Sequence, residues 1–319
     1  ILLIALSLFL ASCVGPPMET DSKIAVVLDT DIGSDVDDTW ALAYLLRCPE
    51  LDLKLVLTGT ADTHYRGRIA AKLLEIGGRT DVPVGLGPRG GSHSEFQLPW
   101  VEDYQLEDYP GTIHEDGVQA FIDLVHSSDK TIHLIAVGPI PNIKEALRRD
   151  PSIARKVKFY GMFGSIDRGY GPEPVAETNV RVDVDAFRTV HAAKWKHFEI
   201  TPLDTCGLFD IGGEAYQSLK NSEDPLLRAV FENYEIWSEL VTWMEVDFFE
   251  EKTSTLFDIV PIYMVMTHEH IEFEKIRISV TDNGFTIRDP KGKKTSVAIR
   301  WKDLEAFREH VVERLHSAG

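Results

Sequence analysis

Lys23-Ile24-Ala25-Val26-Val27-Leu28 runs directly into Asp29-Thr30-Asp31-Ile32-Gly33-Ser34-Asp35-Val36-Asp37-Asp38, and then into Thr39-Trp40-Ala41-Leu42-Ala43-Tyr44-Leu45. The first segment is short, apolar and rich in Val and Ile, which is the pattern of a buried strand. From Asp38 to Arg47, Trp40, Ala41, Ala43, Tyr44 and Leu45 recur at helical spacing. The turn between strand and helix holds five carboxylates: Asp29, Asp31, Asp35, Asp37 and Asp38.

The same alternation continues outward. Leu51 to Thr58 reads as a strand and Arg66 to Ile76 as a helix. Val82 to Leu86 is a strand, followed by a long Gly-, Ser- and Pro-rich loop to Thr112. Helix over Asp116 to His126, strand over Thr131 to Val137, helix over Asn142 to Arg149 and strand over Val157 to Phe163 follow. A helix over Asp185 to Lys194 and a strand over Phe198 to Leu203 complete the series. This order predicts an α/β fold with a mostly parallel central sheet and helices on both faces. After Pro225 the chain reads as mostly helical through Met266. Lys275 to Ile299 reads as a β-hairpin turning at Asp282-Asn283-Gly284, and Asp303 to Leu315 as a last helix. These make C-terminal helical and β-hairpin elements of one domain. Sites in such sheets gather at the carboxyl ends of the strands. Asp29, Thr58 to Asp62, Gly138 and Gly164 follow strand-like runs and are expected on one edge.

A helix N-terminus favours an anion by only about 0.3–1 kcal/mol per group. That does not hold five carboxylates together at neutral pH. Either some are protonated, a cation sits among them, or the turn is a solvated acidic loop capping its helix. Oxygen ligands on a flexible turn suit Ca²⁺ or Mg²⁺. The spacing does not fit the EF-hand loop, which needs Glu at its twelfth position. Leu28-Asp29-Thr30-Asp31 also begins like the D-x-D of haloacid-dehalogenase phosphatases. Those enzymes want Thr or Val two positions after the second Asp, where this chain has Gly33.

Here the chain resembles the inosine–uridine nucleoside hydrolase family, whose signature is D-T-D-P-G followed by x-D-D. The counterpart is Asp29-Thr30-Asp31-Ile32-Gly33 with Ser34-Asp35-Val36-Asp37-Asp38. Val137-Gly138-Pro139-Ile140-Pro141-Asn142 is similar to the family's T-G-P-L-T-N, Glu177-Thr178-Asn179 to its E-F-N, and Phe257-Asp258 to its H-D. Arg79-Thr80-Asp81-Val82-Pro83-Val84 is also similar to a family segment. The four motifs stand in family order, and the likeness runs from Lys23 to Leu315. It implies a nucleoside-hydrolase-like fold, dimers or tetramers, one tightly held Ca²⁺, and hydrolysis of the N-glycosidic bond of ribonucleosides. It further implies that Asp31 ligates the ion and takes the proton of the attacking water. Asp38 would be a two-oxygen ligand, Asp258 a third carboxylate ligand, and Val137 a backbone-carbonyl ligand. Asp29 would brace the turn through backbone hydrogen bonds. Asp37, Glu177 and Asn179 would bind ribose hydroxyls.

The turn carries two extra residues. By distance from Asp31, Asp35 matches the first Asp of the family's pair; by adjacency at the helix start, Asp37 and Asp38 match it. Adjacency is preferred because it keeps both carboxylates in the first helical turn. The family's Asn after the second strand is replaced by Asp62. The His that protonates the leaving base in many members is replaced by Phe257, which donates no proton. Purine-specific members are similar in both respects and stack the base between aromatic rings. Phe257 is then one wall, with Trp100 or Phe96 as the other unless these two only pack the loop. His93 and His114 read as surface or packed residues.

Ile1 to Val14 is one uncharged apolar run, too short for a confident membrane span. It looks like the hydrophobic part of a secretory signal. Its end, Leu10-Ala11-Ser12-Cys13, resembles the bacterial lipoprotein cleavage box; a plain signal peptide with an incidental Cys is the alternative. The resemblance implies lipidation of Cys13, a tether from Gly15 to Ser22, and a lipid-anchored place in the bacterial envelope, at the outer membrane, periplasm or cell surface. Residues 1–22 are therefore read as leader and tether, and 23–319 as the catalytic domain. With a net charge of −18 the chain is not expected to bind nucleic acid. The partners implied are a small nucleoside and, through Cys13, a membrane. Cys48 and Cys206 are expected as unlinked buried thiols, although sequence does not decide their pairing. The alternatives to a Ca²⁺-dependent, purine-leaning ribohydrolase are a non-catalytic nucleoside- or sugar-binding surface lipoprotein, and a hydrolase of another glycosyl substrate.

Overall fold

The computed structural model describes residues 23–91 and 94–317. Strands β1 (Ile24–Thr30), β2 (Leu51–Thr58), β3 (Val84–Leu86), β4 (Ile113–His114), β5 (Ile132–Ala136), β6 (Val157–Met162) and β7 (His197–Thr201) pair in parallel. Helices α1 (Asp37–Leu46), α2 (Thr63–Ile76), α3 (Gly117–Ser127), α4 (Pro141–Arg149), α5 (Thr178–Val182) and α6 (Val184–Ala192) form the crossovers. Beyond β7 come α7 (Leu203–Cys206), α8 (Gly213–Lys220), α9 (Pro225–Leu240) and α10 (Ile259–Met266). The chain ends with β8 (Ile271–Val280), β9 (Thr286–Arg288), β10 (Lys293–Trp301) and α11 (Leu304–His316). The ten strands of the described residues join one sheet in the order β4-β3-β2-β1-β5-β6-β7-β10-β8-β9.

Side chains alternate across a strand with period two, and β1 shows what that does here. Val26 and Leu28 enter a core with α1, α2, α9, α10 and α11; Ala25 and Val27 enter a second core with α3, α4 and α6. The expected architecture of a mostly parallel sheet covered on both faces is thus the observed one. Cys48 and Cys206 are free and buried. Among the described residues no helix is long and apolar enough to cross a membrane.

The C-terminal hairpin differs from expectation, and the mostly helical stretch before it carries a break. The hairpin is a three-stranded antiparallel unit with β8 in the middle: β8 pairs antiparallel with both β9 and β10, and β10 adds in parallel to β7. Asp282-Asn283-Gly284 turns β8 into β9, while Asp289 to Gly292 makes the second turn, which a single-hairpin reading passes over. The stretch from Pro225 to Met266 is not continuously helical, because α9 stops at Leu240 and α10 begins at Ile259. No Gly or Pro breaks the intervening sequence. Its backbone is captured elsewhere: Thr253 N donates to Ile211 O (2.9 Å) and Leu256 N to Phe209 O (2.8 Å). That pairing delivers Asp258 to the carboxyl edge of the sheet.

Candidate active site

The acidic turn leaves β1 at Thr30 and is held from several sides. The Thr30 hydroxyl donates to Asp38 Oδ1 and accepts from Ile32 N (3.1 Å). Arg66 of α2, buried, donates to the carbonyls of Asp31, Ile32 (2.8 Å) and Thr60 (3.0 Å) and to Ser34 Oγ (2.9 Å). Its guanidinium also lies 4.0 Å from Asp31 Oδ2. The Tyr65 hydroxyl donates to Gly33 O (2.9 Å), Gln97 Nε2 to Asp35 O (3.0 Å), and Trp237 Nε1 to Ser34 O (3.2 Å). Sequence reading missed this scaffold. Arg66 did leave a signal: it shares a helical stripe with Ile69, Ala70 and Leu73, and a cation on a buried stripe needs partners.

Asp37 and Asp38 sit in the first turn of α1, and Asp258 immediately precedes α10. All three are buried, and one carboxylate oxygen from each lies within 4.8 Å of the others. Asp258 makes no side-chain capping bond to its own helix, so its carboxylate is not spent there. Burial pushes the Asp258 carboxyl far above the usual carboxylate range, and repulsion from Asp37, Asp38 and Asp31 pushes it further. Asp37 is raised by burial and then by Asp35, Asp38 and Asp31. Asp38 is raised by burial and by Asp31, against the Thr30 hydroxyl and Arg66. The residues present therefore fit a hard divalent cation: three oxygen donors share a small buried space whose negative charge one nearby arginine does not balance. Asp35 is outside that group; its carboxylate accepts from Val36 N (2.7 Å), and burial raises its pKa to about 6.

Asp31 stands against β5's exit. A Cβ on Gly138 would lie 2.3 Å from Asp31 Oδ1, so the carboxylate occupies the space a side chain would need. Gly138→Ala must displace one or the other. A misplacement of about 1 Å costs about a hundredfold in rate where orientation matters. We expect such a loss of turnover with an unchanged melting temperature; full activity would mean that Asp31 is free to move.

Asp29 is braced differently from the expected backbone hydrogen bonds. Its Oδ1 accepts from Asn142 Nδ2 (2.6 Å), which also donates to Thr58 O (3.2 Å), so α4 ties β1 to β2. Burial pushes Asp29 up to about 7, against the Asn142 bond and with repulsion from Asp31. The Val137 carbonyl accepts from Asn179 Nδ2 (2.7 Å), which leaves one lone pair. Glu177 caps α5: its oxygens accept from Asn179 N (2.6 Å), Val180 N (3.2 Å) and Gly164 N (2.9 Å). Burial outweighs these bonds and raises Glu177 to about 7.

Asp62 caps α2 through His64 N (3.0 Å) and Tyr65 N (3.3 Å) and pairs with Arg89 (3.0 Å). Partial burial is outweighed by these amides and by Arg89, so its pKa falls. Thr60 and Ala61, just before it, adopt left-handed φ of 63° and 51°, where non-glycine residues carry backbone strain. Phe257 is half-buried, and its aromatic neighbour is the exposed Tyr170, edge-on at 6.0 Å. Tyr170 in turn hydrogen-bonds Thr178 Oγ1 (2.9 Å). Trp100 packs inward: its indole donates to Glu232 (3.0 Å) and Lys72 lies over its ring at 4.1 Å. Phe96 is buried edge-on to Trp243 at 5.2 Å. His114 lies in β4, at the far edge of the sheet; His93 and Cys13 lie outside the described residues.

Fold and site define a class: an α/β protein whose parallel sheet carries, at its carboxyl edge, a buried carboxylate group able to coordinate a divalent cation. Residues 26–309 match the profile of the inosine-uridine preferring nucleoside hydrolases, and the chain belongs to that family. It is thereby classed as a glycosidase acting on the N-glycosyl bonds of nucleosides. The chain is similar to the non-specific ribonucleoside hydrolase RihC of Klebsiella pneumoniae, with 29% identity over 66% of this chain and 72% of that protein. It is also similar to the inosine-uridine preferring nucleoside hydrolase of Crithidia fasciculata, 25% identical over 92% of this chain and 98% of that one. The solved structure of the plant nucleoside hydrolase PpNRh1 superposes with a TM-score of 0.74 at 19% identity. It covers 92% of this chain and 98% of its own, and shows the shared fold.

Proposed function

We propose that this chain is a Ca²⁺-dependent ribohydrolase that releases the base from ribonucleosides and favours purines. The observation that carries the reading is the meeting of Asp37 and Asp38 with Asp258, more than two hundred residues away in the chain, at the edge where Asp31 emerges from β1. Asp38 and Asp258, with Asp31 and the free lone pair of the Val137 carbonyl, would hold the ion. Bound there, it supplies positive charge that orients a water and acidifies it. Asp31 takes the proton of the attacking water as general base. Asp37, Glu177 and Asn179 hold ribose hydroxyls, and the surrounding carboxylates stabilise the oxocarbenium-like sugar. Asn179 would bind sugar while still holding the Val137 carbonyl, which couples the sugar site to the ion site.

The purine preference rests on Asp62 and Phe257. Phe257 offers a ring face but no proton, so the leaving base must be one that stacking makes easier to protonate. A reducing-sugar assay over inosine, adenosine, guanosine, uridine and cytidine, with and without chelator and with metal content measured in parallel, tests both claims. We expect purine nucleosides to turn over fastest and activity to follow bound Ca²⁺. Faster uridine cleavage overturns the base assignment; release of no base from any ribosyl compound overturns the enzyme. The lipobox-like Leu10-Ala11-Ser12-Cys13 supports a lipid anchor on Cys13 and an envelope location.

A further inference from the structure

The chain's net charge of −18 conceals a separation of charge. The carboxyl edge of the sheet gathers the buried acids of the active site. The opposite edge, where the parallel strands begin, is basic. Lys23 precedes β1, Lys130 precedes β5, Lys156 precedes β6, Lys196 precedes β7, and Lys293 opens β10. These five strands are consecutive neighbours in the sheet. At the usual spacing between strands their leading ends span about 19 Å. Adjacent strand ends are thus closer than a Debye length of about 8 Å, so the charges along the row add to one another.

Carboxylates are not ion-paired with this row among the described residues; Glu50, which leads β2 beside β1, is paired with Arg314 instead. The ion-paired lysines among the described residues are Lys54, Lys144, Lys220 and Lys252, and none of the five is among them. Lys130 donates to Lys23 O (3.4 Å), Lys196 to Thr131 Oγ1 (2.7 Å) and Lys293 to Ala193 O (2.8 Å), all uncharged acceptors, while Lys156 meets His126 Nδ1 (2.9 Å), whose other ring nitrogen is on Asp150. A groove of about 740 Å³ adjoins the row and adds Lys194, Lys275 and Lys294. Its carboxylate, Glu199, is buried and already engaged by Ser296 Oγ (2.6 Å) and His268 Nε2 (2.8 Å). Asp150 on this side is taken by His126 (2.5 Å), and Asp129 is the exposed acid beside Lys130.

We infer that this edge docks on an anionic phospholipid surface and turns the active-site edge away from it. The choice of a lipid surface over another polyanion rests on where the chain enters. Lys23, on this same edge, follows Cys13 by ten residues, at most about 35 Å of extended chain. If Cys13 carries the anchor proposed above, the row lies within one tether length of the headgroups, where lysines add to weak anchoring. The nucleoside then reaches the site from the aqueous side, without crossing the field of the membrane.

The chain from Lys23 onward, which holds all ten strands, is mixed with phosphatidylcholine vesicles with and without phosphatidylglycerol. Sedimentation should show binding about tenfold or more stronger to the anionic vesicles, weakening as salt is raised. The combined variant Lys130→Glu, Lys156→Glu, Lys194→Glu and Lys294→Glu should lose that binding and keep inosine turnover. If it melts early, the same four changes to Gln are used. Equal binding to neutral vesicles, or undiminished binding by either variant, overturns the inference. So does tighter retention on duplex DNA at equal phosphate concentration. Lipid labelling of the full chain at Cys13 is scored separately, so loss of the anchor reading and loss of the docking reading are distinguishable.

Discussion

Asp31→Asn will lower turnover of inosine by about 10²–10⁴-fold, the usual contribution of a positioned general base. The change keeps the shape of the side chain and removes its ability to accept a proton. Asp31 is the member of the acidic turn best placed for that task. It is half-buried and lies against Gly138 at the exit of β5. The Arg66 guanidinium lies 4.0 Å from its Oδ2. Folding should survive, because Arg66 holds the turn mainly through the carbonyls of Asp31, Ile32 and Thr60 rather than through the carboxylate. Nucleoside affinity, read by calorimetry on the inactive variant, should remain near that of the parent. A variant that keeps a tenth of the parent rate would place the base elsewhere. A variant that loses affinity as much as rate would make Asp31 a binding residue.

The parts of this site that sequence discloses are those built from neighbours in the chain. Strand, acidic turn and helix from Lys23 to Leu45 are legible because hydrophobic period and charge change within a few residues. Asp258 is different. Nothing in its surroundings marks it, and the run from Val241 to Phe257 lacks the Gly or Pro that would separate α9 from α10. Its position follows from backbone bonds to Phe209 and Ile211, which are tertiary, and only resemblance to a family pointed to it. The supports of the turn are hidden for the same reason. Asn142 reaches Asp29, Gln97 reaches Asp35, and Trp237 reaches Ser34, each from a distant element. Phe96 and Trp100 share a long loop and are the candidates that sequence offers for the aromatic neighbour of Phe257. Tyr170 stands there instead, while Trp100 fills the gap under Lys72 and Glu232.

Asp258→Asn should have opposite effects on the two forms of the protein. In the cation-free form Asp258 is destabilised by burial and by the charges of Asp37, Asp38 and Asp31. Its folded pKa is raised, so between the ordinary carboxylate value and that raised value the folded chain binds more protons than the unfolded one. Linkage then makes the cation-free protein lose stability as pH rises from acid toward neutral. Removing one of the clustered charges relieves this, and the metal-free variant should melt at or above the parent at pH 7, with a flatter dependence on pH. With Ca²⁺ the order reverses. A ligand that binds only the folded state adds about 2.7 kcal/mol when present at a hundredfold excess over its Kd. The parent should gain that increment; the variant, lacking one of three charged oxygen donors, should gain little of it and lose turnover with it. Melting curves of both proteins, with chelator and with Ca²⁺, read the two signs directly. If the variant is the less stable protein without the ion, the carboxylates are held by an internal network and not by a missing charge. If it gains as much from Ca²⁺ as the parent, the ion sits elsewhere. Only a cation shared by Asp258 and the turn predicts both the rise and the fall.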